Sequence, residues 1–172
     1  VAKEDKDTET GTMWTYVALD PESKIVPNFL VGKRTMKNTQ RFVDDLAGRL
    51  KNRVQLSSDS LNQYVEAADL SFDGEVDYGQ IVKSFEAEPV GKTRYNPSRI
   101  VRADKKRISG NPDFGKISTS HVERQNLTMR MSMRRFTRLT NGFSKKLDNL
   151  KEAVALHFAH YNFARIHKSL RV

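Results

Sequence analysis

The stretch RVQLSSDSLNQYVEAADLSF, from Arg53 to Phe72, predicts a short strand followed directly by a helix. The strand covers Val54 to Ser58 and ends on Asp59. The apolar residues of the second half then recur at helical spacing: Leu61, Tyr64, Val65 and Ala68. A carboxylate is therefore expected at the point where a strand ends and the chain turns into a helix.

Upstream of this stretch the sequence predicts a β-hairpin and a helix. The runs MWTYVALD (Met13 to Asp20) and IVPNFLVG (Ile25 to Gly32) are rich in aromatic and β-branched residues, and the four residues PESK join them. A helix from Thr39 to Leu50 follows, with Thr35 or Thr39 as its N-cap. The expected order up to Phe72 is strand, strand, helix, strand, helix.

Downstream, residues 73–117 are turn-rich and contain three prolines, which predicts a long insertion. Within it, VDYGQIVKSF (Val76 to Phe85) supplies one further strand. Two helices are predicted after the insertion, from Thr119 to Asn141 and from Lys145 to Arg165. The fold class is therefore α/β, a mixed sheet flanked by helices, in a single domain over residues 1–172 with a charged lead-in over residues 1–11.

The charge pattern favours a polyanionic partner. The chain of 172 residues has a net charge of +9 and no cysteine, which excludes disulfides and thiolate metal sites. From Lys92 to Val172 there are 19 Lys and Arg against 5 Asp and Glu, whereas Asp59 to Glu88 holds 8 acids and one base. No window approaches the roughly 18 consecutive apolar residues of a membrane span, so we expect a cytoplasmic, nucleoid-associated protein that binds nucleic acid rather than a membrane.

Two acids are candidates for a metal site because of their positions. Asp59 ends a strand, and Glu123 lies in the first turn of a basic helix that begins STSHVERQNLTMRM. A fold that brings them together gives hard oxygen ligands suited to Mg²⁺ or Mn²⁺. The alternative, that Glu123 is a solvated or capping residue of its helix, remains open on spacing alone.

Four segments together resemble the DDE transposases of bacterial insertion sequences, of the insertion-sequence-one type. They are YVALDPESKIVPNFLVGKRT, VQLSSDSLNQY, STSHVERQNLTMRMSMRRFTRLTNGFSKK and HYNFARIHKSLRV. The resemblance runs from about Met13 to Val172. It implies an RNase H-like catalytic domain in which three carboxylates bind two Mg²⁺ ions, or Mn²⁺, to cleave DNA and transfer the strand. The second acid matches Asp59 and the third matches Glu123.

The resemblance also implies a first acid, on a central strand that we expect before Val1. Asp20 matches the hairpin turn of the family, not the catalytic position. Asp5, Asp7 and Asp20 are the only acids on the N-terminal side that could substitute. We therefore expect a sheet without its first strand and an incomplete active site in this chain.

The basic residues after Glu123 are expected to bind the backbone of double-stranded DNA, both the element ends and the target, because their charges neutralise phosphates. Asn126 is expected to orient the Glu123 carboxylate or to contact phosphate. The predicted DNA-binding residues are Arg124, Asn126, Arg130, Arg134, Arg135, Arg138, Lys145 and Lys146.

Three functions remain open from the sequence. The first is a metal-dependent transposase domain acting on DNA, as a homo-oligomer in its DNA complex. The second is a non-catalytic derivative that keeps the basic surface for DNA binding or assembly. The third is a different RNase H-like nuclease. The histidine pair His157 and His160 is interpreted as packing and surface residues rather than as a metal site.

Overall fold

The computed structural model describes residues 12–85, 100–137, 142 and 144–170. The chain divides into two compact units, one formed by residues 1–46 with 120–172 and one by residues 47–119. The fold is mixed α/β. In chain order the elements are β1 (Trp14–Ala18), β2 (Asn28–Gly32), α1 (Met36–Arg49), β3 (Val54–Asp59), α2 (Gln63–Phe72), β4 (Val76–Phe85), β5 (Ile100–Ser109), α3 (Ser120–Ser132) and α4 (Leu147–Phe163), with short 3₁₀ turns at Arg134–Phe136 and Lys168–Leu170.

The first unit begins with the predicted hairpin, which is confirmed. Strands β1 and β2 pair antiparallel, with Tyr16 opposite Leu30. The turn between them is held by the Asp20 carboxylate, which accepts hydrogen bonds from the backbone N–H groups of Glu22 and Ser23. The hydrogen bond from the Ser23 hydroxyl is the main reason that the pKa of Asp20 lies below its usual value.

Helix α4 contributes three buried residues, Val154, Phe158 and Tyr161, to the core of the first unit. Val154 and Phe158 are fully buried, and the rings of Phe158 and Phe29 lie 4.9 Å apart. Near the end of α4, the Asn162 side chain forms two hydrogen bonds of 3.0 Å with the backbone of Val26, one to its N–H and one to its carbonyl. The last helix is thus fixed to the residues that lead into β2.

The second unit contains a three-stranded mixed sheet in the order β3-β4-β5. Strands β3 and β4 are parallel, and β4 and β5 are antiparallel. Helix α2 covers one face, where Ala68 packs with Val76 and Tyr78. On the other face the buried Ile117 lies against Gly79, where a Cβ atom would collide with it, so this position requires glycine.

The structure corrects three expectations about secondary structure. The predicted strands do not form one sheet, because β1 pairs with β2 whereas β3 pairs with β4. Strand β5 was not predicted, because its residues are mostly exposed and charged and lack the apolar alternation of a half-buried strand. Helix α3 ends at Ser132, nine residues before the predicted end, and Met133 is already extended, with φ −120° and ψ 110°.

An ion pair joins β3 to the start of β4. The Arg53 guanidinium donates to both carboxylate oxygens of Asp77, at 2.8 and 3.2 Å, and the backbone N–H of Asn111 donates to the same carboxylate at 2.7 Å. The bond from Arg53 is the main reason that the pKa of Asp77 falls to about 2. Asp77 therefore connects the base of the sheet with the segment that follows β5.

This ion pair gives a predicted pH dependence. Because the pKa of Asp77 is lower in the folded chain than the ordinary value of 3.8, its stabilising contribution is full above about pH 4 and is lost as pH falls towards about 2. We expect the stability difference between the native chain and Asp77→Asn, measured by urea unfolding at a series of pH values, to shrink below about pH 4. A difference that stays constant down to pH 2 would contradict this assignment.

Candidate metal and DNA site

Asp59 lies at the carboxyl end of β3, as predicted. It is the last residue of the strand, opposite Ile81 of the parallel strand β4, and it is exposed. Its Oδ1 accepts a hydrogen bond of 3.2 Å from the backbone N–H of Leu61, in the turn that leads into α2. In α/β sheets, ligands bind outside the carboxyl ends of parallel strands, so this is a position where a functional carboxylate is accessible.

A buried polar network lies directly beneath Asp59. The Tyr78 hydroxyl is 2.6 Å from Ser58 Oγ and accepts a hydrogen bond of 2.9 Å from Gln80 Nε2. Ser58 Oγ also lies 2.7 Å from the backbone carbonyl of Asp59. Burial raises the pKa of Tyr78, and the negative charge of Asp59 adds to this effect. The network thus joins β3 to β4 at Ser58, the residue before Asp59.

Removing the Tyr78 hydroxyl is expected to destabilise the chain by about 1 to 2 kcal/mol, because the buried Gln80 amide loses its shortest hydrogen-bond acceptor. The expectation applies to Tyr78→Phe and is measured by urea unfolding. Ser58→Ala and the double variant Tyr78→Phe/Ser58→Ala complete a double-mutant cycle. The two losses in free energy of unfolding should not add, since both hydroxyls belong to one hydrogen-bond network. Additive losses would show that the two hydroxyls act independently.

Glu123 lies in the first turn of α3 and is exposed. A negative charge at this position is stabilised by the helix dipole, which is a structural reason for an acid here. Two residues later Gln125 is buried, and its Nε2 has no hydrogen-bond partner within the described residues. Met129, one turn further on, belongs to the core of the first unit. Helix α3 thus buries one face and leaves Glu123 on its accessible side.

The two candidate ligands belong to different units, Asp59 to the second and Glu123 to the first. The prediction that they share an ion therefore stays a prediction. Within the described residues, no group of three or more His, Asp or Glu side chains is arranged to hold a metal. Of the possible substitutes for the first acid, Asp20 is engaged in the hairpin turn, and Asp5 and Asp7 lie outside the described residues.

The predicted DNA-binding residues lie on three elements rather than on one long helix. Arg124 and Arg130 are exposed on α3, and the half-buried Asn126 lies between them. Because α3 ends at Ser132, the remaining residues cannot continue its surface, which corrects the expectation of one continuous basic helix. Arg134 and Arg135 are exposed on the following 3₁₀ turn, Lys145 and Lys146 are exposed just before α4, and Arg138 lies outside the described residues.

Arg135 is fixed by a hydrogen bond from its Nη1 to the hydroxyl of Ser144, which connects the 3₁₀ turn to the segment before α4. Arg124, Arg130 and Arg134 form no ion pair within the described part of their own unit. Exposed guanidinium groups without a carboxylate partner are available to phosphates. The basic residues that precede and follow Ser132 thus have the accessibility that phosphate binding requires.

The histidine pair on α4 agrees with the packing interpretation. His157 is half-buried, with its ring 5.2 Å from Phe158 and 6.3 Å from Tyr161, and its Nε2 has no hydrogen-bond partner within the described residues. Burial lowers the pKa of His157, and the charge of Arg165 adds to this effect. His160 is exposed. The two rings thus lie in different environments.

Sequence reasoning missed the three side chains beneath Asp59. Tyr78 and Gln80 are two residues apart on β4, so a strand places them on the same face, and this spacing was the available signal. Their partner Ser58 comes from a neighbouring strand, which sequence spacing does not reveal. Comparison of the chain with protein families, with curated proteins and with solved structures finds no match.

No helix among the described residues is long and apolar enough to cross a membrane. The predicted nucleoid location, the DNA partner and the homo-oligomer stay predictions. The assignment of a role to Asp59 and Glu123 therefore depends on their positions in the fold and on the sequence resemblance.

Proposed function

We propose that this chain is the catalytic domain of a DDE transposase of the insertion-sequence-one type, with an RNase H-like fold, that cleaves DNA and transfers the cut strand. The observation that carries the proposal is the exposed Asp59 carboxylate at the end of β3, where β3 runs parallel to β4 and the chain turns into α2. This is the position that the resemblance assigns to the second metal ligand.

The residues present suit a divalent cation. Asp59 offers a hard, exposed carboxylate whose Oδ1 accepts a hydrogen bond from Leu61, and Glu123 offers a second exposed carboxylate. Asp59 and Glu123 are the groups that would hold Mg²⁺ or Mn²⁺, and a bound ion would supply charge stabilisation at a phosphodiester. The Ser58 and Tyr78 hydroxyls would fix the backbone beneath Asp59 so that its carboxylate keeps one orientation.

The basic residues would bind the DNA backbone. Arg124 and Arg130 follow Glu123 on α3, one and seven residues later, so the backbone of a bound duplex would run along the helix within about 10 Å of the carboxylate. Such contacts position a duplex without reading its sequence. The resemblance further implies a central strand, and in the described residues β3 is an edge strand with β4 as its single neighbour, which leaves its other edge open to pairing.

The proposal is tested by incubating the full chain with supercoiled plasmid in Mg²⁺, in Mn²⁺ and in EDTA, followed by a labelled oligonucleotide with a free 3′-hydroxyl. Nicking and joining that require a divalent ion support the transposase proposal. Nicking without joining favours the alternative of a different RNase H-like nuclease. DNA binding by gel shift with neither reaction overturns catalysis by this chain and favours the non-catalytic DNA-binding derivative, in which the first acid that the resemblance implies is lacking.

A further inference from the structure

The three-stranded sheet of the second unit has one face that α2 does not cover, and this face is basic. Val76 and Tyr78 of β4 and Ile108 of β5 pack with α2. Successive strand residues point to opposite faces, and the register places Gly79 opposite Arg107 and Ile81 opposite Lys105. Arg107 and Lys105 therefore lie on the face away from α2.

Lys83 of β4 belongs to the same face by the same alternation, so two adjacent strands contribute three cations to it. The side chains of Lys105 and Arg107 are exposed. The Lys105 ammonium donates to the backbone carbonyls of Phe114 and Gly115, which places it over the segment that follows β5 and leaves one of its three N–H donors for another partner.

The acids close to this face already have local partners. Asp77 is bound by Arg53 and by the backbone N–H of Asn111, and the charge of Arg107 also acts on it. The Asp113 carboxylate accepts a hydrogen bond of 2.7 Å from the backbone N–H of Gly115 in its own turn. Because Asp77 shares its single negative charge between Arg53 and Arg107, Lys105 and Arg107 retain a net positive charge among the described residues of this face.

The opposite face of β5 provides a contrast within the same strand. Arg102 and Lys106 lie on the α2 side, and the Arg102 Nε is paired with Asp104 at 2.6 Å. Two positive charges thus lie on each face of β5. Asp104 pairs with Arg102 on the α2 side, whereas Asp77 on the other side lies near Arg107 but is bound directly by a further cation, Arg53. If an anion binds along this strand, the face of Lys105 and Arg107 is the favoured one.

We infer that the face of β4 and β5 opposite α2, which presents Lys105 and Arg107, is a second binding surface for the phosphate backbone of duplex DNA. Residues two apart on a strand are separated by about 6.6 Å, and successive phosphates of one DNA strand, which rise about 3.4 Å along the axis and also turn around it, are a similar distance apart. Lys105 and Arg107 can therefore contact phosphates of one DNA strand in succession. The inference rests on the proposed function only in taking DNA as the partner and does not require catalysis.

The competing explanation is that lysine and arginine on an edge strand prevent pairing with other chains. Strand β5 is at the edge of the sheet, and charged side chains are a common protection of such edges. Protection depends on charge along the edge and not on the face, so it predicts equal effects for the two faces. Phosphate binding predicts an effect on one face only.

The test compares two double variants of the full chain that remove the same charge from the same strand. They are Lys105→Gln/Arg107→Gln and, as the matched control, Arg102→Gln/Lys106→Gln. Affinity for a fluorescein-labelled duplex is measured by anisotropy over a series of salt concentrations, and the oligomeric state by size exclusion with light scattering. We expect the first variant to bind about 30-fold more weakly near 0.15 M salt, with the slope of log K against log salt reduced by about 1.8. The control is expected to change little.

Equal losses in both variants, or no loss in either, overturn the inference. A shift to larger oligomers in either variant with unchanged DNA affinity also overturns it, in favour of edge protection. If the glutamine variant does not fold, the charge-preserving variant Lys105→Arg/Arg107→Lys is measured instead. It should retain the native slope of log K against log salt, because phosphate binding here depends on the two charges and not on the exact side chains. Divalent-ion-dependent cleavage by the native chain is scored separately, so failure of this surface and failure of the proposed function are distinguishable.

Discussion

Replacing Asp59 with asparagine is expected to lower divalent-ion-dependent cleavage of DNA by about 10³-fold or more. A metal ion supplies several kcal/mol of charge stabilisation in such reactions, and each 1.4 kcal/mol corresponds to about a tenfold change in rate. Asparagine keeps the size of the side chain and an oxygen that can accept the hydrogen bond from Leu61, so the turn into α2 should persist. The measurement is the initial rate of plasmid nicking in Mg²⁺ and in Mn²⁺.

The matched control is Asp73→Asn, which removes the same charge from another exposed aspartate of the second unit. Asp73 follows α2 in the left-handed conformation, with φ 46° and ψ 42°, which asparagine also adopts readily. We expect the control to retain the native cleavage rate. A loss of similar size in both variants would show that overall charge, rather than the Asp59 carboxylate, determines the rate.

Glu123→Gln extends this test to the predicted partner ligand. If Asp59 and Glu123 act on one ion, each single variant should lose nearly as much activity as the double variant, because groups that act as a unit have non-additive effects. If the fold-losses in cleavage rate of the two single variants multiply in the double variant, Asp59 and Glu123 have separate roles. Binding of Mn²⁺ by titration calorimetry gives a second readout that does not depend on cleavage.

Replacing Phe158 with alanine is expected to lower the free energy of unfolding by about 3 to 5 kcal/mol. Its ring is 1% exposed and lies 4.9 Å from the ring of Phe29, so truncation leaves a cavity at the contact between α4 and β2. The stability of the native chain is itself of the order of 5 to 15 kcal/mol, so the loss is a large fraction of it. Urea unfolding followed by circular dichroism measures the change.

Phe163→Ala is the matched control, because it is the same substitution on the same helix at a residue that is 89% exposed. We expect a change within about 0.5 kcal/mol for this exposed site. Similar losses at both positions would show that Phe163 is also packed in the folded chain in solution. A small loss at Phe158 would show that the core of the first unit repacks around the gap.

Elements whose apolar residues recur at a clear period could be predicted from the amino acids alone. The hairpin, the strand that ends on Asp59, and helices α1, α2 and α4 follow from that periodicity, since one buried face imposes a spacing that can be read without the structure. The exposed carboxylate at the end of β3 was predicted for the same reason. The charge of the C-terminal half likewise needed only the sequence.

Features that depend on partners from distant parts of the chain appear only in the folded structure. Strand β5 forms because its backbone pairs with β4, and its charged, exposed residues carry no apolar signal of this pairing. The contact of Tyr78 with Ser58, twenty residues apart in the chain, exists because β3 and β4 run parallel. The basic face of Lys105 and Arg107 depends on the packing of α2 against the other face, because alternation places residues on two faces but packing decides which face the helix covers.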